Sequence, residues 1–136
     1  MKILFVCIGN ACRSPMAEGF ARFYSNGRVE VKSAGTSALG RVVTPTKEVM
    51  MEIGIDISNQ TSDQLTKEMI EWADIVVSMS YRKTDVICPR TFNGRKIDWA
   101  VVDPIGMEIG TYRRVRDELE RRVKELLDEN LGVCRT

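Results

Sequence analysis

The chain opens on Lys2-Ile3-Leu4-Phe5-Val6, where Ile3 to Val6 is apolar without alternation, the pattern of a strand covered on both faces. The strand cannot run on. Cys7-Ile8-Gly9-Asn10-Ala11-Cys12-Arg13 carries the turn formers Gly9 and Asn10, and Ser14-Pro15 reads as an N-cap followed by a first helical residue. Met16, Phe20 and Phe23 then share a helical face until Asn26-Gly27 stops it. A doubly covered strand running straight into a helix belongs to parallel sheets flanked by helices. This opening therefore restricts the chain to α/β architecture.

The remainder repeats the alternation. Val29 to Lys32 reads as a second strand, closed by Ser33-Ala34-Gly35. Thr44-Pro45 opens a helix with Val49, Met50 and Ile53 inward and Gly54 as its stop, and Ser62 caps another that carries Leu65, Met69, Ile70 and Trp72. Asp74 to Met79 and Ile97 to Val102 supply third and fourth strands, the last ended by Asp103-Pro104. Thr111 to Glu129 is a final helix with Tyr112, Val115, Leu119, Val123, Leu126 and Leu127 in one stripe. The prediction is a single doubly wound α/β domain over residues 1–136. Its mainly parallel four-stranded sheet has helices on both faces and a tight strand-to-helix loop after the first strand. Ligands in such sheets bind beyond the carboxyl ends of the strands.

Charge and residue usage narrow the chemistry. Lys+Arg number 20 against 19 Asp+Glu, so a net charge of +1 gives no reason to expect nucleic acid or an anionic membrane. No apolar run approaches the roughly 20 residues of a membrane span, which predicts a cytoplasmic protein, and we expect a monomer. The absence of histidine excludes Cys-His and Ser-His-Asp mechanisms and His-ligated zinc. Cys7, Cys12, Cys88 and Cys134 contain no Cys-x-x-Cys pair, and cytosolic cysteines of this kind are reactive or buried rather than structural disulfides.

Five residues separate Cys7 from Arg13, and Ser14 follows at once. A loop curling from a strand into a helix points its backbone N–H groups inward, so Ile8, Gly9, Asn10, Ala11, Cys12 and Arg13 are the candidate oxyanion nest. The Arg13 fork adds two donors suited to a tetrahedral anion. Those dipoles and that charge favour the thiolate of Cys7, and Ser14 can donate a further hydrogen bond to it. A cysteine is thereby activated without an imidazole. Asn10 suits a left-handed backbone and a bracing amide.

Val6 to Glu18 resembles the phosphate-binding loop of the low-molecular-weight protein-tyrosine phosphatases and of the thioredoxin-linked arsenate reductases, which share one fold. The likeness extends through Ser33-Ala34-Gly35, Ile55 to Asp63, Asp74 to Met79 and Asp103-Pro104. It implies that Asp103 is the acid that protonates the departing oxygen, a role chemistry also allows for a carboxyl on a loop at a strand's end. Both activities begin with thiolate attack on a bound oxyanion. A phosphatase then hydrolyses the cysteinyl-phosphate, whereas a reductase needs a second thiol to expel arsenite and leave a disulfide.

Gly54 to Asp63, Cys88-Pro89 with Trp99 before Asp103-Pro104, and Tyr112 to Glu118 are closer to the reductases. So is the absence of a tyrosine pair after Asp103-Pro104. The reductase resemblance implies no required cofactor, a thioredoxin-like donor, and a potassium ion whose ligands fall on Asn10, Glu18, Ser33 and Asp63. It also implies Cys88 as a redox cysteine, on a loop expected at the same sheet edge as Cys7. Other features depart from it. No cysteine lies between Ser80 and Thr84, where reductases carry another, which leaves Cys88, Cys134 or an external thiol to finish the reaction. Pro15 is the phosphatases' choice, and the Asp103-to-Tyr112 spacing also resembles phosphoarginine phosphatases. The leading reading is arsenate reduction. The alternative is a phosphatase acting on phosphotyrosine or phosphoarginine in a phosphoprotein.

Overall fold

Strand β1 (Lys2–Cys7) lies inside a sheet, which is why Ile3, Leu4, Phe5 and Val6 are fully buried. In the computed structural model, which describes residues 1–132, β1 is followed by α1 (Arg13–Ser25), β2 (Glu30–Gly35), α2 (Thr44–Met51) and α3 (Lys67–Trp72). Then come β3 (Ile75–Ser78), α4 (Thr84–Ile87), β4 (Arg95–Asp98) and α5 (Ile109–Leu131). Cys134 lies outside the described residues.

The sheet order is β2-β1-β3-β4, and every pairing is parallel. Lys2 to Cys7 pair in register with Glu30 to Gly35, and Ile3 to Val6 pair with Ile75 to Ser78. Each crossover passes through helical chain, as parallel neighbours require. After β2 the chain returns across β1 to begin β3, so the strand order reverses beside β1. Cys7, at the carboxyl end of β1, stands at that switch point.

Alternation along β1 builds two cores. Ile3, Phe5 and Cys7 face a layer with Met16, Phe20, Val49, Leu119 and Val123 from α1, α2 and α5. Leu4 and Val6 face the opposite layer with Ile70, Ala73 and Cys88, around α3 and α4. Burying each large apolar side chain contributes about 1.5–3 kcal/mol. Among the described residues, no helix is long and apolar enough to cross a membrane.

Several boundaries differ from expectation. The fourth strand is Arg95–Asp98 rather than Ile97 to Val102, because β4 is an edge strand whose extent is set by pairing with the four-residue β3. Asp103-Pro104 therefore sits on a loop beyond the strand instead of ending it. Ser33-Ala34-Gly35 continues β2 rather than closing it. Helix α3 is capped by Thr66, whose hydroxyl accepts from the Met69 N–H at 3.2 Å, and not by Ser62. Helix α1 begins at Arg13, with the Met16 N–H donating to the Cys12 carbonyl, so Ser14 is inside the first turn instead of capping it. Phe23 and Ile53 are turned to solvent.

Candidate active site

The loop from Cys7 to Arg13 is held from outside by its carbonyls. Thr36, Ser37, Leu39 and Val43 donate their N–H groups to the carbonyls of Cys7, Ile8, Gly9 and Ala11 at 2.8–3.2 Å. The Thr46 and Ser62 hydroxyls add bonds to Ala11 and Gly9 at 3.0 and 3.1 Å. In a trans peptide, a carbonyl and the N–H of the next residue point in opposite directions. Four carbonyls turned outward thus turn the N–H groups of Ile8, Gly9, Asn10 and Cys12 inward. The Arg13 N–H joins them at the positive end of α1. The result is an anion nest.

Packing explains why β2 ends in glycine. A Cβ on Gly35 would stand 2.5 Å from the Ile8 carbonyl oxygen and 2.9 Å from the Asn10 nitrogen, both backbone atoms that cannot give way cheaply. Asn10 takes the left-handed conformation, with φ of 49°, as its sequence position suggested.

The orientation of the fully buried Asn10 side chain follows from its partners. Its Oδ1 accepts the Asp63 N–H at 2.7 Å, so its amide nitrogen must be the end that donates to Ser14 Oγ at 2.7 Å and to Ser33 Oγ at 3.0 Å. Ser33 in turn donates to the Glu18 carboxylate, which also holds Arg22 at 2.7 Å. Ser14 already accepts from Asn10, so its hydroxyl hydrogen is directed to Cys7 Sγ, 2.9 Å away. The network delivers a donor to the thiol.

Arg13 is almost wholly buried. Its Nη1 donates to the carbonyls of Met79 and Val101, while Nη2 stands 3.4 Å from the Asp103 carboxylate, which is about one third exposed at 36%. Its Nε is buried with no acceptor among the described residues. One cavity is lined by Cys7, Gly9, Ala11, Cys12, Arg13, Asp103 and Ile105, with the Arg13–Asp103 pair across it. The exposed side chains of Leu39 and Ile105 border this region: Leu39 packs beside Gly9, and Ile105 lines the cavity.

The other sequence candidates are distributed unevenly. Cys88 is buried in the core cluster of Leu4 and Val6, across the sheet from Cys7, and burial pushes its thiol pKa up. The expected placement at the edge of Cys7 is not what forms. The one-turn helix α4 carries the cysteine onto the far face instead. Asn10, Glu18 and Ser33 do meet, but as hydrogen-bond partners of one another. The Asp63 carboxylate accepts from Thr61 at 2.7 Å. Asp63 joins the other three only through its backbone N–H, which donates to Asn10 Oδ1. Sequence reasoning missed Gly35, Ser62, Thr46 and the Met79 and Val101 carbonyls. Only Gly35 had a local signal, a glycine at the end of a buried strand.

The family profile for low molecular weight phosphotyrosine protein phosphatase matches residues 2–133. An arsenate reductase of Halalkalibacterium halodurans is 44% identical over 131 residues, covering 90% of this chain and 91% of that protein. An arginine phosphatase from Geobacillus stearothermophilus superposes with a TM-score of 0.81 at 37% identity, covering 99% of this chain and 98% of that one. An arsenate reductase solved in its phosphate-binding state gives 0.78 at 36% identity, covering 94% and 97%. With a profile match along nearly its whole length and the loop geometry just described, the chain belongs to the low molecular weight phosphotyrosine protein phosphatase family.

Proposed function

We propose that this site reduces arsenate to arsenite. The observation that carries an oxyanion substrate is the buried, acceptor-less Nε of Arg13 beside the nest of inward N–H groups. Arsenate is preferred over a phosphoester because of the 44% identity to an arsenate reductase and the absence of aromatic rings among the cavity's lining residues. Arsenate sits in the nest with oxygens on the N–H groups and on Arg13 Nε and Nη2. The Cys7 thiolate, stabilised by Ser14, attacks arsenic, and Asp103 gives its proton to the departing hydroxyl, which leaves as water. A second thiol then attacks Cys7 Sγ. The sulfur–arsenic electron pair passes to arsenic, and arsenite leaves with a disulfide behind it. An external dithiol of the thioredoxin kind resets the enzyme by exchange, which places turnover in a reducing compartment, the cytoplasm. Every protein group but that dithiol comes from a single chain, so a monomer suffices. No step runs through potassium: the network of Asn10, Ser33 and Glu18 braces the loop by itself.

Phosphoester hydrolysis is the second reading. It is favoured by Asp103 at the mouth, where an ester oxygen would depart, and by the likeness to an arginine phosphatase. One preparation, assayed for arsenate-dependent dithiol oxidation and for aryl phosphate and phosphoarginine hydrolysis, separates them. We expect arsenite production that is abolished by Cys7→Ser. Brisk hydrolysis with no arsenite under any thiol donor would overturn the arsenate reading in favour of the phosphatase.

A further inference from the structure

Arsenate reduction takes two electrons, and Cys7 supplies one sulfur of the disulfide that must form. Cys88 is poorly placed to supply the other: it belongs to the core cluster of Leu4 and Val6, on the opposite face of the sheet from the cluster that holds Cys7. Cys12 is differently placed. It is 3% exposed, belongs to the same core cluster as Cys7, and lines the same cavity together with Arg13 and Asp103.

We infer that Cys12 is the thiol that resolves the Cys7–arsenic adduct, an assignment that rests on the arsenate reading above. The balance is direct. Cys7–S–As(O)(OH)2 and Cys12–SH give a Cys7–Cys12 disulfide and As(OH)3: the sulfur–sulfur bond forms and the sulfur–arsenic bond breaks. Arsenic gains two electrons, each sulfur loses one, and the Cys12 proton ends on an arsenite oxygen. In the free chain burial, above all, pushes the Cys12 thiol up to about 11, opposed by hydrogen bonds from Thr46 and Tyr112 and reinforced by the Asp103 and Cys7 charges, the last of which disappears once Cys7 is bonded to arsenic. The Asp103 carboxylate, which gave up its proton when the adduct formed and lines the same cavity, takes the Cys12 proton as the sulfur attacks and passes it to an arsenite oxygen. The disulfide closes a loop already curved between its two cysteines, and an external dithiol reopens it from the Cys7 side of the cavity.

The test is an anaerobic single turnover of the reduced full chain with arsenate and no added thiol, acid-quenched, with arsenite counted and disulfides mapped by peptide mass. We expect about one arsenite per chain and a Cys7–Cys12 bridge that forms only with arsenate. Cys12→Ser and Cys12→Ala should cut that single release at least about tenfold while thermal unfolding shows both folded. Added 2-mercaptoethanol, attacking the adduct directly, should restore arsenite to those variants, which a merely structural defect would not allow. Cys88→Ser should release the full equivalent. A Cys7–Cys88 bridge, or an undiminished release from both Cys12 variants, overturns the assignment while leaving arsenate reduction standing. A wild type that makes no arsenite with or without thiols removes the arsenate reading, and this inference with it.

Discussion

Arg13→Lys keeps a positive charge and removes a fork. Nη1 of Arg13 is committed to the Met79 and Val101 carbonyls, which leaves Nε and Nη2 as the pair facing the cavity. A lysine ammonium is a point donor that cannot hold both carbonyls and present two parallel N–H groups to an anion. The charge-assisted hydrogen bonds at stake are worth about 1.5–3 kcal/mol each, so losing the pair costs roughly 3–6 kcal/mol of transition-state stabilisation. At about 1.4 kcal/mol per factor of ten, kcat/KM for arsenate should fall by roughly 10² to 10⁴. Inhibition by inorganic phosphate should weaken in parallel, because phosphate uses the same donors. Steady-state dithiol oxidation across arsenate concentrations gives the first number and phosphate titration the second. A variant within tenfold of wild type, with unchanged phosphate inhibition, would mean that the oxyanion is not held by Arg13.

Asp103→Asn removes a carboxylate 3.4 Å from Arg13. A partly exposed pair of this kind is worth about 1 kcal/mol, so phosphate should bind roughly fivefold tighter while kcat falls about a hundredfold or more for loss of the acid; weaker phosphate binding would refute the competition. Gly35→Ala drives a methyl into the Ile8 carbonyl, and differential scanning calorimetry should show a loss of roughly 5–15 °C, with activity reduced further still. An unchanged Tm would mean the loop does not need that close approach. Glu52 binds Arg113 and Arg116, and chiefly the Arg113 hydrogen bond lowers its carboxyl from 4.5 to about 2. Its stabilisation is complete above pH 4.5 and disappears as pH falls to about 2, so the Tm deficit of Glu52→Gln should be present at pH 7 and shrink across that window. A deficit that persists unaltered at pH 2 would assign the loss to something other than this charge.

What could be read locally was read well. Strand β1, its loop and the onset of α1 depend on an unbroken apolar run and on Gly9, Asn10 and Pro15, all within a few residues of one another. The pairing of Cys7 with Ser14 and the left-handed Asn10 were visible for the same reason. Non-local effects were not. Strand β4 is mostly polar, and only the length of β3 says where it stops. The side of the sheet taken by Cys88 depends on α4, a single turn too short to show periodicity. Ser62 carries a capping residue's signature yet donates to the Gly9 carbonyl, because the chain brings it against the loop from 53 residues away. Asn10 and Ser33 are 23 residues apart along the chain, and Ser33 and Glu18 are 15 apart, so no local pattern announces that the three meet.

The outward tethering of the loop has a consequence for selectivity. Widening the ring means stretching bonds to Thr36, Ser37, Leu39 and Val43 together, each worth about 0.5–1.5 kcal/mol. A receptor that stiff rejects planar or bulky anions well, but it has little means of telling arsenate from phosphate, which share shape and charge and differ only slightly in bond length. Cellular phosphate is thus a standing competitor that the cradle cannot shut out. Discrimination must come after binding, from the readiness of arsenic(V), and not phosphorus(V), to accept an electron pair from sulfur.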